Sequence, residues 1–377
     1  MKKLKKEQYI KDLSKLVSFK TLTANTVENI KALDFIESMI DSKAIIKRIK
    51  AGGRELLIAS NVDTKNPDVC FLVHVDVVAG KPEQFSTTIK KGVMFGRGVS
   101  DMKFSIPIGY KLLNNLIESK SSLSFSFVIT TDEETGGFQG AAYLAKQYKF
   151  RPKVLIVPDG GDDFIFINKA KGVCALRIDS IGKPAHSSRI WNGKNALEPL
   201  IKLSNKVLRC YEGNNKKESM KTTVNVGLMQ GGVSVNQVCP QAFVTLDFRF
   251  PETTSFEKIF REIKQLAKKI DSTLKVSVYS KGSPTFVDVK NPIVKLFLES
   301  CEETLERKIK IKPTYGASDA RHFSVLNTPI LMIKPNGGDI HGDKENIDID
   351  SCLSFYQATL DFLQKLEQNK AILSRHK

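Results

Sequence analysis

Val69-Cys70-Phe71-Leu72-Val73-His74-Val75-Asp76 is a short apolar run that closes on a histidine and an aspartate. An apolar run of this length predicts a buried strand. His74 and Asp76 are two positions apart, so their side chains leave the same side of an extended chain. A strand that served only a core would rarely end in two such groups, so the segment indicates a functional site at a strand end.

Four further groups of acidic residues or histidines follow along the chain. They are Gly96-Arg97-Gly98-Val99-Ser100-Asp101, Thr131-Asp132-Glu133-Glu134, Pro158-Asp159-Gly160, and His341-Gly342 with Glu345. Most of these groups lie at the end of a predicted strand or just after one. Together they supply five ligands for two divalent metal ions and leave one carboxylate to act as a base.

The length and composition indicate a folded protein with more than one domain. At 377 residues the chain exceeds one ordinary core, and 41% of it is hydrophobic. No apolar stretch reaches the ~18–20 residues that span a membrane. No apolar core follows the basic residues at 2–6 to make a secretion signal. We therefore expect a cytoplasmic protein without a membrane partner.

The net charge of +17 raises the alternative of a nucleic-acid-binding protein. The lysines are spread along predicted helices and loops, and no basic stripe alternates with aromatic residues. The charge is therefore interpreted as a solvated surface, and no nucleic-acid partner is expected. The six cysteines have no paired spacing, which predicts buried, reduced thiols rather than a thiolate metal site.

The first half of the chain alternates predicted strands and helices. The strands are Glu55–Ala59, Val69–Val75, Ser124–Thr130 and Val154–Val157, and the helices between them are Asp101–Ser119 and Gln139–Tyr148. This alternation predicts an α/β catalytic domain with a doubly wound, mixed but mostly parallel sheet. Working residues of such sheets gather at the carboxyl ends of the strands, which is where the first, third and fourth groups fall.

The middle of the chain predicts a different architecture. Its elements are the strand Val173–Ile181, the helix Asn195–Leu208, the strands Thr222–Leu228 and Ala242–Phe250, the helix Ser255–Ile270 and the strand Leu274–Tyr279. This βαββαβ order is that of a ferredoxin-like α+β unit. We expect a catalytic domain formed by residues 1–173 and 288–377, interrupted by an inserted lid at 174–287.

Five residues have the chemistry of metal ligands. They are His74, Asp101, Glu134, Asp159 and His341. A carboxylate such as Asp101 can give one oxygen to each of two ions ~3.5–4 Å apart. Taken singly, the residues have structural alternatives, namely a strand-end histidine with a capping aspartate, a helix N-cap at Asp101, a solvated acidic turn, and a Pro-Asp-Gly turn at Asp159. The metal hypothesis depends on their combination.

The adjacent carboxylates Asp132, Glu133 and Glu134 repel one another unless cations compensate. Glu134 is assigned as a ligand and Glu133 as the general base, which takes a proton from the attacking water and gives it to the leaving amine. A metal ion lowers the pKa of water toward ~7, which makes hydroxide available at neutral pH. Asp76 is expected to accept the other N–H of His74 and fix the ring.

On these motifs the chain resembles a family of dizinc amidohydrolases and exopeptidases. The family includes acetylornithine deacetylase, succinyl-diaminopimelate desuccinylase, aminoacylase, glutamate carboxypeptidase and several dipeptidases. The matching motifs span nearly the whole chain and are His74-Val75-Asp76, Gly96–Lys103, Asp132-Glu133-Glu134, Asp159 and His341. Glu133 matches the family's base, and Asp76 matches the carboxylate that orients the first histidine.

The resemblance implies a zinc-exopeptidase-like catalytic domain with two Zn²⁺ ions, for which Co²⁺ or Mn²⁺ are acceptable replacements. It implies that His74 and Asp159 hold one ion. Glu134 and His341 would hold the other, and Asp101 would bridge the two.

The predicted insert resembles the family's lid, which forms a homodimer. The motif Gly182-Lys183-Pro184-Ala185-His186-Ser187-Ser188 matches the one whose histidine reaches the active site of the partner subunit. His186 is therefore expected to donate a hydrogen bond to the oxyanion in trans. Asn236 and Arg249 also fit the lid and are expected to contact substrate.

Ser318-Asp319-Ala320-Arg321 is similar to the desuccinylase pattern, in which the arginine holds a substrate carboxylate. Ser318 and Arg321 are therefore expected substrate contacts, and a guanidinium fork suits a carboxylate. Two residues depart from expectation, the first from the desuccinylase branch and the second from the usual family pattern. Asp159 stands where deacetylases and desuccinylases usually have glutamate, and Phe104 stands where glycine is usual.

The sequence thus predicts a dizinc hydrolase that cleaves an amide bond next to a free carboxylate. The substrate would be a small N-acyl amino acid or a short peptide, so the enzyme would be a deacylase, desuccinylase, exopeptidase or dipeptidase. The alternative is a non-catalytic binding or regulatory protein on the same fold, which keeps the metal ions for structure.

Overall fold

The computed structural model describes residues 2–216 and 218–374. The chain forms two compact units. The first unit comprises Met1–Asn168, Val287–Thr314 and Ser318–Lys377, and the second comprises Lys169–Phe286 with Tyr315–Ala317. The second unit contains the predicted insert, 174–287, except for its last residue.

Eight α-helices are present in the described part of the chain. They are α1 (Lys6–Ser18), α2 (Thr26–Ser38), α3 (Ser105–Glu118), α4 (Ala141–Lys146), α5 (Leu197–Asn215), α6 (Phe256–Ile270), α7 (Pro292–Leu305) and α8 (Ile349–Gln368). Across the described ranges, no helix is both long enough and apolar enough to cross a membrane.

The strands of both units are numbered in chain order. They are β1 (Ile45–Ala51), β2 (Arg54–Ser60), β3 (Val69–His74), β4 (Thr88–Lys90), β5 (Val93–Phe95), β6 (Phe125–Thr130), β7 (Val154–Ile156), β8 (Phe166–Ala170), β9 (Gly172–Ile181), β10 (Thr223–Gly231), β11 (Gln241–Phe250), β12 (Lys275–Gly282), β13 (Thr285–Phe286), β14 (Ile311–Thr314), β15 (Ile330–Leu331), β16 (Gly337–Gly338) and β17 (Asn346–Asp348).

The first unit contains a six-stranded mixed sheet with the order β1-β2-β6-β3-β7-β15. The strands β6, β3, β7 and β15 are parallel, whereas β1 and β2 join antiparallel at one edge. Every residue of β3 and β6 is buried, as expected of parallel strands covered on both faces. The predicted mixed sheet is confirmed, and its parallel part brings three strand ends to one edge.

The second unit contains a four-stranded antiparallel sheet with the order β10-β11-β9-β12. The chain order of its elements is β9, α5, β10, β11, α6, β12, which is the predicted βαββαβ order. Buried residues of α5 and α6, among them Leu203 and Ile263, share one apolar core with β9 and β11. This unit therefore has its own core, separate from that of the first unit.

The segment before α3 differs from the prediction of a helix over Asp101–Ser119. The helix begins only at Ser105, because Asp101 (φ −131°, ψ 91°) and Met102 (φ −131°, ψ 36°) have non-helical backbone angles. The peptide bond between these two residues is cis. The helix N-cap alternative for Asp101 is therefore wrong, and its carboxylate is available for another role.

Candidate active site

The parallel strands β3, β6 and β7 place three of the predicted groups side by side. His74, the last residue of β3, is paired with Thr130, the last residue of β6. The acidic loop of Glu133 and Glu134 follows β6 directly, and Asp159 follows β7. Because the carboxyl ends of parallel strands share one edge of the sheet, the topology collects these side chains.

Asp101 lies between two imidazoles. Its Oδ1 atom is 3.1 Å from Nε2 of His74, and its Oδ2 atom is 3.1 Å from Nε2 of His341. The Nε2 atom of His341 is also 3.2 Å from Oε2 of Glu134. Asp101, Glu134 and His341 thus form a group whose ligand atoms all lie within 4.8 Å of one another.

His74 has one ring nitrogen fixed by the protein. Its Nδ1 atom lies 3.0 Å from the main-chain oxygen of Asp76, which can only accept a hydrogen bond. The carboxylate of Asp76 is farther away, with Oδ1 at 3.5 Å from the same nitrogen. The carbonyl therefore fixes the tautomer, and Nε2 is the nitrogen left for a ligand bond.

The buried carboxylate of Asp76 instead anchors the acidic loop. Its two oxygens accept the main-chain N–H groups of Glu133 and Glu134, each at 3.2 Å. The hydroxyl of Thr23 donates to Oδ2 at 2.7 Å. Asp76 thus connects the end of β3 to the predicted base and the predicted ligand that follow β6.

Glu345 holds the turn that carries Asp101. Its buried carboxylate accepts the main-chain N–H groups of Gly98, Ser100 and Asp101 at 3.0–3.1 Å. It also pairs with Nη1 of the buried Arg97 at 2.7 Å. Charge-assisted bonds of this kind are the strong ones, so Glu345 sets the position of Asp101.

Arg97 also reaches the loop of His341. Its Nη2 atom donates to the main-chain oxygens of His341 and Gly342 at 3.1 and 3.2 Å. His341 has a φ of 64°, a left-handed conformation that a non-glycine residue seldom adopts. The guanidinium therefore holds His341 in place from the main-chain side while its ring faces the carboxylates.

The contacts around Asp101 shift the pKa values of Asp101, His74 and His341. Burial would raise the pKa of Asp101, but hydrogen bonds from His341 and His74 outweigh it and hold the pKa well below its ordinary value. Burial would lower the pKa of His74, but Asp101 and Asp76 raise it well above the ordinary value. The pKa of His341 is raised, first by its hydrogen bond with Asp101.

The remaining carboxylates of the site have raised pKa values. Burial, with a contribution from the Asp101 charge, raises the pKa of Glu134 to about 7 and that of Asp159 to about 6. Burial also raises the pKa of Glu133 well above its ordinary value, and the charges of Asp319 and Asp159 add to this. Like charges gathered in a half-buried site hold protons in this way until cations replace them.

The site fits divalent metal ions. Its donors are carboxylate oxygens and imidazole nitrogens, a set that zinc and similar ions accept. Oε1 of Glu134 is buried and has no hydrogen-bond partner, although a buried carboxylate oxygen left unpaired is costly. Asp159, the fifth predicted ligand, follows β7 but is not part of the tight group of Asp101, Glu134 and His341.

A short helical turn, Asp319–His322, packs against the acidic loop. Arg321 and His322 donate to the main-chain oxygen of Gly136, with Nη2 at 2.6 Å and Nε2 at 3.0 Å. Burial, followed by the charge of Arg321, lowers the pKa of His322 to about 3. Ser318 caps the turn by accepting the N–H of Ala320. Arg321 therefore lies beside the loop of the predicted base.

In the second unit the structure brings His186 and Asn236 onto adjoining segments. The main-chain N–H of Ser187 donates to the carbonyl of Asn236 at 2.9 Å. His186 is exposed, and its Nδ1 accepts the N–H of Ser188 at 3.2 Å. In the neutral ring the proton is therefore on Nε2, which is free to donate to a ligand.

Arg249 lies away from these two residues. Asn236 precedes the start of β11, whereas Arg249 is near its end. The eight positions from Gln241 to Arg249 span roughly 27 Å at the rise of a strand. The guanidinium pairs with Asp247 at 3.1 Å, and a substrate contact by Arg249 stays a prediction.

Three residues of the site had no assigned role in the sequence. Thr23 and Arg97 act through hydrogen bonds to Asp76 and Glu345, and Asp319 is a buried acid against the acidic loop. Arg97 carried a local signal, since it stands between two glycines directly before the Asp101 turn, and Asp319 lies in the motif Ser318-Asp319-Ala320-Arg321, whereas Thr23 carried none.

Several known proteins are similar to this chain over most of its length. A succinyl-diaminopimelate desuccinylase from Rickettsia bellii is 23% identical over 380 residues, covering 94% of this chain and 95% of that protein. A protein named "Probable carboxypeptidase" from Aspergillus clavatus is 28% identical over 248 residues, and the match spans 62% of this chain and 58% of that protein. The solved structure of an M20 family metallo-carboxypeptidase from Sulfolobus solfataricus superposes with a TM-score of 0.79 at 17% identity, covering 96% and 99% of the two chains.

The fold and the match together define a metal-dependent hydrolase that acts on amide or peptide bonds. The sequence pattern of Peptidase family M20/M25/M40 matches residues 70–365, which is most of the chain. The protein belongs to this family, and the resemblance drawn from its motifs is confirmed.

Proposed function

We propose that this protein is a dizinc hydrolase that cleaves the amide bond of a small N-acyl amino acid or short peptide with a free carboxylate. The observation that carries the proposal is Asp101, whose two oxygens each face a different imidazole at 3.1 Å. A carboxylate in this position can bridge two metal ions. The desuccinylase and carboxypeptidase names of the relatives support the substrate class.

Within this proposal the ligands divide into two sets around Asp101. His74 and Asp159 would hold one Zn²⁺, and Glu134 and His341 would hold the other. When bound, the ions lower the pKa of a water molecule and polarise the substrate carbonyl. Co²⁺ or Mn²⁺ suit the same oxygen and nitrogen donors.

Glu133 is the residue that moves the proton. Its main-chain N–H is anchored on Asp76, and its half-buried carboxyl has a raised pKa. A base whose pKa is raised above that of a free carboxylate can both take the proton of the attacking water and return it to the leaving nitrogen. Asp76 fixes the main chain of the loop that carries Glu133.

Arg321 is the proposed partner of the substrate carboxylate. One of its terminal nitrogens is held by Gly136, at 2.6 Å. The guanidinium carries further N–H donors in the same plane, and this fork matches a carboxylate. Its place beside the acidic loop would put the substrate carboxylate near Glu133.

Dimerisation through the second unit is also proposed, with His186 donating to the oxyanion of the partner's site. The edge strand β10 exposes Leu228 and Met229, and Trp191 is exposed beyond His186. An open edge with exposed apolar side chains is suited to pairing with a second chain. His186→Ala should lower turnover without changing the melting temperature, and an unchanged rate would contradict its role.

The hydrolase proposal is tested with a panel of N-acetyl and N-succinyl amino acids and dipeptides, given to zinc-loaded protein. Release of the free amine from at least one class is expected, and the preferred class identifies the branch. No hydrolysis across the panel, with two bound ions verified by mass spectrometry, would contradict the proposed substrate class.

A further inference from the structure

Lys334 is a buried lysine outside the ligand set. It lies three residues after β15 and is 1% exposed. Its main-chain oxygen accepts the N–H of Phe164 at 2.9 Å, which fixes the segment beside the loop that follows β7. Lysine is almost never fully buried unless its ammonium is paired, so the partners of Nζ indicate why it is there.

The ammonium of Lys334 has one partner in each of two ligand loops. It donates to Oγ of Ser100 at 3.1 Å, and Ser100 directly precedes Asp101. It also pairs with Oδ1 of Asp162 at 2.8 Å, three residues after Asp159. Asp101 and Asp159 come from segments far apart in sequence, and Lys334 connects both.

We propose that Lys334 is a positioning residue that ties the Asp101 turn to the Asp159 loop and thereby sets the spacing of the ligands for two metal ions. The inference rests on the proposed metal centre. It adds a residue that belongs to neither the ligands nor the base, and whose side chain is too buried to touch substrate.

The Ser100 end of the tie is enclosed, whereas the Asp162 side chain is half exposed. A Cβ atom at Gly337 would lie 2.7 Å from Oγ of Ser100, so the hydroxyl is enclosed between Gly337 and Lys334. The main-chain N–H of Ser100 is held in turn by Glu345 at 3.0 Å. Glu345 thus holds the Asp101 turn through main-chain N–H groups, and Lys334 holds it through the side chain of Ser100. Of these two residues, Lys334 is the one that also reaches the Asp159 loop.

A positioning role and a mere charge effect have opposite consequences for metal binding. The positive charge of Lys334 acts on both Asp101 and Asp159 and favours the ionised form of each, although burial still raises the pKa of Asp159 overall. If charge were all that mattered, its removal would leave the carboxylates more attractive to divalent cations. If Lys334 holds the ligands in place, its removal weakens metal binding although the local charge becomes more negative.

The experiment compares metal retention by wild type, Lys334→Met and Ser100→Ala. Zinc-loaded proteins are dialysed against a chelator at graded concentrations, and bound zinc is counted by mass spectrometry. Loss of a residue that orients ligands typically weakens metal affinity by about 10–100-fold. Both variants should therefore lose one ion at chelator concentrations at which wild type keeps two. The double variant should lose little more, because both substitutions break the same tie.

Lys171→Met is the matched control. Lys171 is also buried, but it belongs to the second unit and lies over the ring of Tyr315 at 5.4 Å. It should retain both ions as wild type does. Ser100→Ala keeps the Lys334–Asp162 pair and decides the question if Lys334→Met does not fold.

Unchanged or tighter zinc binding by Lys334→Met and Ser100→Ala would overturn the inference and leave the metal centre intact. Wild-type protein that never holds two ions would instead overturn the proposed function. The two failures are therefore distinguishable in one experiment.

Discussion

Asp101 and His341 face each other at 3.1 Å between Oδ2 and Nε2. The other oxygen of the same carboxylate faces His74 at the same distance. A single hydrogen bond to one imidazole would not require Asp101 to lie symmetrically between two of them. Glu345 holds the turn that carries Asp101 by accepting main-chain N–H groups. The carboxylate therefore stands where the two halves of a two-metal site would meet.

Replacing Asp101 with Asn should remove one of two bound ions. The amide keeps the shape but offers only one good acceptor oxygen, so it cannot bridge. Since loss of even an outer partner costs about 10–100-fold in metal affinity, we expect a larger loss here, measured as zinc content after dialysis.

Asp163→Asn is the control for Asp101→Asn. Asp163 is an exposed aspartate that pairs with Arg307 on the surface, and its removal should leave both ions bound. Two retained ions in Asp101→Asn would be incompatible with a bridging role.

Metal binding should weaken as the pH falls. The pKa of Glu134 is about 7 and that of Asp159 about 6, both raised first by burial. Below these values the metal-free groups hold protons that an ion must displace, so the apparent affinity falls by up to about tenfold per pH unit for each displaced proton. Calorimetry in buffers of different ionisation enthalpy counts the protons released. Binding without proton release at pH 6 would rule this out.

The position of the site was predictable from the sequence because it depends on local patterns. Apolar runs that end in acids or histidines predict strands with functional ends, and the parallel topology brings those ends together. His74 and the acidic loop after β6 were found in this way. The downstream His341 was predicted by its Gly-rich loop and by the family motif rather than by a strand end.

Glu345 was noted in the sequence as part of the His341 group, but the partners of Glu345 and Lys334 were not predictable, because these contacts join residues distant in sequence. Glu345 binds the Asp101 turn across 244 or more positions, and Lys334 reaches Ser100 across 234. Neither contact leaves a local pattern. Asp101 also fitted a helix N-cap, and that role is excluded only because the helix begins at Ser105, with Phe104 at its N-cap position.

Gly137→Ala should disturb the loop of the base. Gly137 has a φ of +63°, and a Cβ atom there would lie 1.9 Å from Oδ1 of Asp319. Besides the ~1–2 kcal/mol cost of a left-handed alanine, the clash should cost about 1–3 kcal/mol more. Turnover should fall, because the loop of Glu133 must shift. Both effects are measured by urea unfolding and by steady-state kinetics.

Gly53→Ala separates the clash from the backbone cost. Gly53 also has a positive φ, +79°, but nothing lies within 4 Å of its added Cβ atom. It should lose stability through the backbone alone and keep its activity. Equal losses in the two variants would mean that the contact with Asp319 has no effect.

Glu345→Gln should destabilise the first unit. The amide would place a donor among main-chain N–H groups and leave Arg97 buried without its carboxylate. Breaking a buried pair in this way costs about 3–5 kcal/mol in the free energy of unfolding. Urea unfolding of metal-free protein measures this, and Glu303→Gln, at an exposed pair with Lys365, should cost less than about 1 kcal/mol. Similar values for both would show that Glu345 does not hold the turn.

The role of Glu133 in a dizinc hydrolase is tested by hydrolysis of the N-acyl amino acid and dipeptide panel by wild type and Glu133→Gln, with bound zinc counted in both. Two ions are expected in each protein, with turnover lower in the variant by about 10²–10⁴-fold. Turnover near the wild-type rate in the variant, with its zinc retained, would contradict Glu133 as the base and with it the proposed mechanism.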